Sequence, residues 1–176
     1  MTAPAVFNVV VRALYLQGGQ LLVSRWRGSY GFLVGGRVET GETLEEALRR
    51  EFREETGGEV TLRKWVYFHE SFYPHAPTGP VHELGWYFWV ESDRPIGRPG
   101  LRLPHPDSGR LDLEYVALDQ LKSQNIWPRF LGHTLPLDFA SSFAAAPRHW
   151  ISHTTDAGED RTEEVHWPTV GAAGPG

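Results

Sequence analysis

The 176-residue chain contains no cysteine. That excludes disulfides, a thiolate nucleophile, cysteine-ligated zinc and iron–sulfur clusters. No apolar run approaches the roughly 20 residues that a membrane-spanning helix requires, so no membrane partner is expected. The first ten residues place no basic side chain ahead of an apolar stretch, which is not the form of a secretory leader; a cytoplasmic protein is the expectation. Acidic side chains are missing altogether from residues 1–35, which carry only Arg12, Arg25 and Arg27 as charged side chains.

At 40% hydrophobic and 22% charged residues the composition is that of a folded domain rather than a disordered chain. The net charge of −5 argues at first against a polyanionic ligand, but the charge is segregated. Residues 152–176 carry −4 and residues 36–58 carry −3, which leaves the remainder at +2. Residues 154–176, rich in Gly, Ala, Pro and acids with little to bury, read as a disordered acidic tail behind a single domain spanning 1–153.

Segments 7–16 and 20–27, joined by Gln17-Gly18-Gly19, read as a β-hairpin, and 30–34 as a third short strand. Further strands are expected at 59–70, 81–91 and 111–117, short helices at 118–123 and 128–135, and a Pro/Gly/Arg-rich excursion loop at 94–110. Between the third and fourth strands, Thr43 and Glu46 form a Thr-x-x-Glu capping box, and Gly57-Gly58 supplies a helix stop.

That helix carries carboxylates on two faces. Glu45, Glu46, Arg49 and Arg53 make a solvated side, with Glu45–Arg49 and Glu46–Arg50 in the favourable order for ion pairs. Glu51, Glu54 and Glu55 fall on the half shared with Leu44, Ala47 and Leu48. Three glutamates turned toward the body of a domain repel one another and resist desolvation, so something positive must offset them. Arg50 is one candidate; a hard divalent cation such as Mg²⁺ or Mn²⁺ is the other. The Gly35-Gly36 step just before the helix lets backbone approach a ligand closely.

In this register, residues 36–58 resemble the Nudix box, G-x5-E-x7-R-E-U-x-E-E-x-G-U, where U is a bulky apolar residue. Gly36, Glu42, Arg50, Glu51, Phe52, Glu54, Glu55 and Gly57 all match. The departures are Gly58, where a bulky residue is usual and whose packing role Val60 is expected to fill, and Val34, where proline commonly precedes the two glycines.

The resemblance implies an α/β/α sandwich with a mixed sheet and a loop–helix–loop box. It also implies Mg²⁺- or Mn²⁺-dependent hydrolysis of a nucleoside diphosphate linked to another group. By carry-over, Glu51, Glu54 and Glu55 coordinate metal with the carbonyl of Gly35 or Gly36, and Glu54 or Glu51 serves as base. Arg50 orients a carboxylate, Glu42 pairs with Arg50, and Gly57 closes the helix. Outside the box, Glu114 is a candidate catalytic residue. Arg25, Arg27, Arg37, Tyr30 and Glu83 are candidates for substrate contact, with Phe32 and Tyr73 as further stacking surfaces. His69 and His82 lack ligand spacing and read as hydrogen-bonded sheet residues.

The partner implied is a small nucleotide; homodimers are common among such proteins. A non-catalytic nucleotide sensor is the first alternative, disfavoured by the intact glutamates. An RNA-decapping hydrolase is the second, and it needs an extended basic channel that only the arginines of 98–110 hint at.

Overall fold

The computed structural model describes residues 5–75, 79–106 and 108–167. Strands β1 (Val6–Gln17) and β2 (Gln20–Trp26) form the expected hairpin, followed by β3 (Gly31–Leu33) and helix α1 (Leu44–Thr56). Two long strands, β4 (Val60–His75) and β5 (Gly79–Ser92), pair antiparallel. The excursion loop holds a two-residue strand, β6 (Leu103–Pro104), which pairs with β7 (Leu111–Ala117). Then come a 3₁₀ turn (Leu118–Gln120), β8 (Ile126–Trp127), α2 (Leu131–Ala140), β9 (Arg148–Thr154) and β10 (Asp160–Val165).

The sheet runs β10-β9-β4-β5-β1-β2-β3-β8, with β7 on the other edge of β2. It is mixed: β1 lies parallel to β5, and β9 parallel to β4. On one face α1 buries Ala47, Leu48 and Phe52 against Val11, Ala13 and Tyr15 of β1. On the other, Leu131 and Leu135 of α2 pack with Leu14, Tyr67 and Tyr87. Alternation along β1 sends odd residues to α1 and even residues to the opposite side. The result is the expected α/β/α sandwich, in which each fully buried Leu or Phe contributes about 1.5–3 kcal/mol.

β1 and β2 are bonded only beside their turn, at Leu16–Leu21 and Gln17–Gln20. Beyond that they splay, and the chain after β3 fills the wedge. Val11 N–H donates to Gly36 O at 2.9 Å, Ala13 N–H to Val34 O at 2.8 Å, and Val38 N–H to Val9 O at 2.9 Å.

The tail expectation needs correcting. Residues 160–165 are a strand, and Asp160 and Glu164 are structural acids. Arg148 on β9 binds Asp138 of α2 at 2.9 Å and both oxygens of Glu164, at 2.6 and 2.7 Å. Polar ladders, backbone pairing to the edge of β4 and the stacking of Trp150 on buried Phe130 hold this hairpin, and the acidic composition of the segment did not reveal them. Residues 168–176 of the proposed tail lie outside the described residues. The final helix is also displaced, to Leu131–Ala140 from the expected 128–135. No helix among the described residues is long and apolar enough to cross a membrane.

Candidate active site

Two glycines build the loop ahead of α1. Gly35 has φ 125°, and a Cβ there would stand 2.2 Å from Val11 O, so no side chain fits. A Cβ on Gly36 would reach within 2.5 Å of the Glu51 carboxylate. The backbone of the loop and the carboxylate of the helix are therefore in direct apposition.

The helix starts and stops as its caps dictate. Glu46 N–H donates to Thr43 Oγ1 at 3.2 Å, and Thr43 N–H returns a bond to Glu46 Oε2 at 2.8 Å. Gly57, at φ 71°, donates to Arg53 O at 2.8 Å. Because Glu46 is committed to the cap, the expected Glu46–Arg50 pair does not form, whereas Glu45–Arg49 does at 2.7 Å. Arg50 instead spans the loop. It donates to Glu42 from Nε at 2.7 Å and Nη2 at 2.9 Å, to Arg37 O at 3.0 Å, and to Glu51 Oε1 at 2.8 Å. Its hydrogen bonds hold the Glu42 carboxyl at about 2 and push its own pKa up. Glu51 moves the other way: partial burial raises its pKa against the opposing pull of Arg50.

The three box glutamates have three environments. Glu51 lies between Gly36 and Arg50. Glu54 is not turned inward, being 49% exposed and 3.4 Å from Arg50 Nη1. Glu55 is buried: it accepts from Ser24 Oγ at 2.9 Å and Gly35 N–H at 3.1 Å, and His105 Nε2 lies 3.1 Å away. Among the described residues no three acids or imidazoles are gathered around one point. Glu51 and Glu54, in the second half of α1, offer carboxylate oxygens of the kind Mg²⁺ or Mn²⁺ takes, and the Gly36 carbonyl, which accepts from Val11 N–H at 2.9 Å, keeps a second lone pair. The glycine cradle at Gly36 fits such a cation too.

Beside the loop opens a cavity of about 580 Å³. Of the expected contacts, Tyr30, Phe32, Tyr73 and Glu83 line it. Tyr73 OH donates to Glu83 Oε2 at 3.2 Å. Burial and then the Glu83 charge raise the Tyr73 pKa.

The expected arginines and Glu114 are elsewhere. Arg25 is buried, pairs with Glu114, and donates to Gln124 O at 3.0 Å. Glu114 also takes Arg102 at 2.9 Å. Exposed Arg27 forks onto Asp112 at 2.8 and 3.0 Å. Arg37 is exposed and meets the site through its carbonyl. None of these four is among the cavity-lining residues.

Four cavity or site residues escaped the sequence reading of function. Arg12 donates to Leu33 O at 3.1 Å and to Gly35 O, with its guanidinium 5.6 Å from the Phe32 ring centroid. It was legible as the lone charge on an apolar strand. His105, Ser152 and Asp156 carried no such signal. His69 is hydrogen-bonded as expected, at 2.7 Å to Ser152 Oγ, whereas His82 Nε2 is buried without a hydrogen bond and the ring stacks on Phe72.

A mixed sheet between two helices, with a glycine-led glutamate helix beside a cavity, defines a class, and comparison with known proteins agrees. The NUDIX domain family matches residues 4–137. The chain belongs to the Nudix hydrolase family. It is 32% identical over 141 residues to the human 8-oxo-dGDP phosphatase NUDT18, covering 71% of this chain and 42% of that protein. It is 40% identical over 75 residues to the isopentenyl-diphosphate Delta-isomerase of Salmonella heidelberg (strain SL476), covering 39% of this chain and 41% of that one. The chain thus spans less than half the length of these relatives. Among solved structures, the mutator MutT protein of Bacillus halodurans superposes with a TM-score of 0.64 at 15% identity, over 92% of this chain and 99% of that one.

Proposed function

We propose that the protein hydrolyses a pyrophosphate bond in a nucleoside diphosphate linked to another group, with Mg²⁺ or Mn²⁺ as cofactor. The observation that carries this reading is the apposition of Glu51 to the Gly36 backbone, with Arg50 locked between Glu42 and Glu51, on a loop that Arg12 ties to an aromatic cavity. Glu51, Glu54 and the Gly36 carbonyl would hold the cation. When bound, it neutralises phosphate oxygens and lowers the pKa of a water molecule.

The chain's own residues supply the rest. Glu51 or Glu54 takes the proton of the attacking water, and Arg50 keeps Glu51 aimed at the loop. Arg12, bound to the Gly35 carbonyl, brings a positive charge to the cavity side of that loop. Tyr30 and Phe32 offer flat surfaces for a base. Glu55, engaged by Ser24, Gly35 and His105, is assigned to holding the loop in place rather than to the first set of cation ligands. The name of the human relative, a phosphatase of a nucleoside diphosphate, supports the bond class, whereas the isomerase has in common with it only a diphosphate substrate.

A panel of nucleoside di- and triphosphates, nucleotide sugars, ADP-ribose and dinucleoside polyphosphates, screened with Mg²⁺ and Mn²⁺ by product mass, tests the assignment. Mononucleotide release on at least one member is expected, with Glu54→Gln lowering turnover at least ~100-fold, equivalent to about 2.7 kcal/mol. Nucleotide binding without turnover across the panel would favour the sensor reading instead.

A further inference from the structure

β1 sends Val10, Arg12 and Leu14 to the face opposite α1. Val10 and Leu14 are buried there, and Arg12 stands between them as the lone charge on the strand. A cation set into a sheet needs a partner, and the usual one is a carboxylate. No carboxylate pairs with Arg12 among the described residues. Instead Nη1 spends both of its protons on backbone, donating to Leu33 O at 3.1 Å and to Gly35 O.

Gly35 is thereby held at both ends. Its N–H donates to Glu55 Oε1 at 3.1 Å, and its carbonyl takes Arg12. The hold matters here because a φ of 125° is open only to glycine, the residue with the freest backbone. The peptide fixed in this way leads straight into Gly36, where the backbone meets Glu51.

Nη1 accounts for two of the five guanidinium protons. The other three, on Nε and Nη2, have no acceptor among the described residues, although Arg12 lines the cavity. Nε and Nη2 form one edge of the fork, the edge that grips two oxygens of a phosphate in parallel. Among the described residues that line the cavity, Arg12 is the sole arginine or lysine, and Glu83 and Asp156 have an anion's own sign. An anion entering the cavity therefore has one such cation to meet. Resting on the diphosphate reading above, we infer that Arg12 is a bridging residue. Its Nη1 positions the glycine loop, and its Nε–Nη2 edge takes a phosphate of the ligand.

Two variants of the full chain separate the two ends. Arg12→Lys keeps the charge on one nitrogen, whose three donors suffice for the carbonyls but offer no second edge. Arg12→Met keeps the length and removes both. The loop end is read from amide exchange at Gly35. The cavity end is read by calorimetric titration in Mg²⁺ with methylenediphosphonate, which has the phosphate pair, lacks a base and resists hydrolysis. Arg12→Met should speed the exchange at least ~10-fold and weaken the diphosphonate at least ~10-fold. Arg12→Lys should bring exchange back to within about threefold of wild type while diphosphonate binding stays at least ~5-fold weak. Arg161→Met, which removes an 86% exposed charge from β10, should move neither. No diphosphonate binding by the wild type, an affinity unmoved in Arg12→Met, full recovery of that affinity by lysine, or equal losses in Arg161→Met would overturn the inference. Neither readout needs turnover. The expected shifts in a protein that hydrolyses nothing would sink the hydrolase reading and leave this one standing. Hydrolysis with both readouts unmoved in Arg12→Met would do the reverse.

Discussion

His105 Nε2 stands 3.1 Å from Glu55 Oε2, with the two side chains only 5% and 7% exposed. One comes from the long excursion loop, the other from the penultimate residue of α1. The pair joins a loop to the helix that carries the box. A buried carboxylate that loses a partner keeps its desolvation cost. His105→Ala should therefore lower unfolding stability by about 1–3 kcal/mol, read from the urea midpoint at constant slope. An unchanged midpoint would mean the contact is idle.

Gly58 departs from the box pattern for a packing reason. A Cβ at that position would lie 2.5 Å from Ile96 Cδ1 and 2.8 Å from Ser92 Oγ. Ile96, from the excursion loop, fills the space that a bulky residue would take, and Val60 is buried beside it in the same cluster. Gly58→Val should thus destabilise by about 1–3 kcal/mol through overpacking. The double variant Gly58→Val/Ile96→Ala should recover part of that loss. Strictly additive losses in a thermal-unfolding cycle would refute the assignment.

Arg50 reaches Glu42 with two parallel bonds and Glu51 with a third, a fork that an ammonium cannot copy. Arg50→Lys should keep the charge and the fold but lower kcat roughly 10-fold, about 1.4 kcal/mol of transition-state stabilisation. Steady-state kinetics on whichever substrate the panel identifies would decide it. Wild-type kcat in the lysine variant would show that the fork is ornamental.

Burial pushes His69 down to about 3, far below the ordinary value near 6.5. The folded protein keeps this ring neutral, whereas the unfolded chain protonates it as pH falls through about 6.5. The stability is therefore complete above about 6.5 and declines below it, by about 1.4 kcal/mol per pH unit, until the folded value near 3 is reached. Denaturation at a series of pH values between 6.5 and 4.5 should show this slope, and His69→Asn should flatten it even if its absolute stability is lower. Parallel slopes in the two proteins would remove His69 as the cause.

The box was readable because its information is local. Capping residues, the i, i+3, i+4 spacing of Glu51, Glu54 and Glu55, and the glycine stop all act within a few turns of one helix. Glu46 shows the limit even there: two local roles competed for it, and the cap won over the ion pair with Arg50. Tyr30, Phe32, Tyr73 and Glu83, the candidates for substrate contact, line the cavity. Arg25 and Arg27 do not, because their fate depends on the β2–β7 register, which sets Arg25 opposite Asp112 and Val23 opposite Glu114. That pairing joins segments far apart in the chain, and nothing near Arg25 encodes it. The same holds for the C-terminal hairpin, whose acids look solvated until Arg148 and the β4 edge are placed beside them.

The splay between β1 and β2 has a thermodynamic consequence. The glycine loop occupies the wedge and is hydrogen-bonded to β1 at Val9, Val11 and Ala13, as a strand would be. Its backbone is ordered when the sheet forms. A cation or a phosphate bound at Gly36 would meet a loop whose entropy was surrendered during folding, so little of its binding free energy would be consumed in organising it.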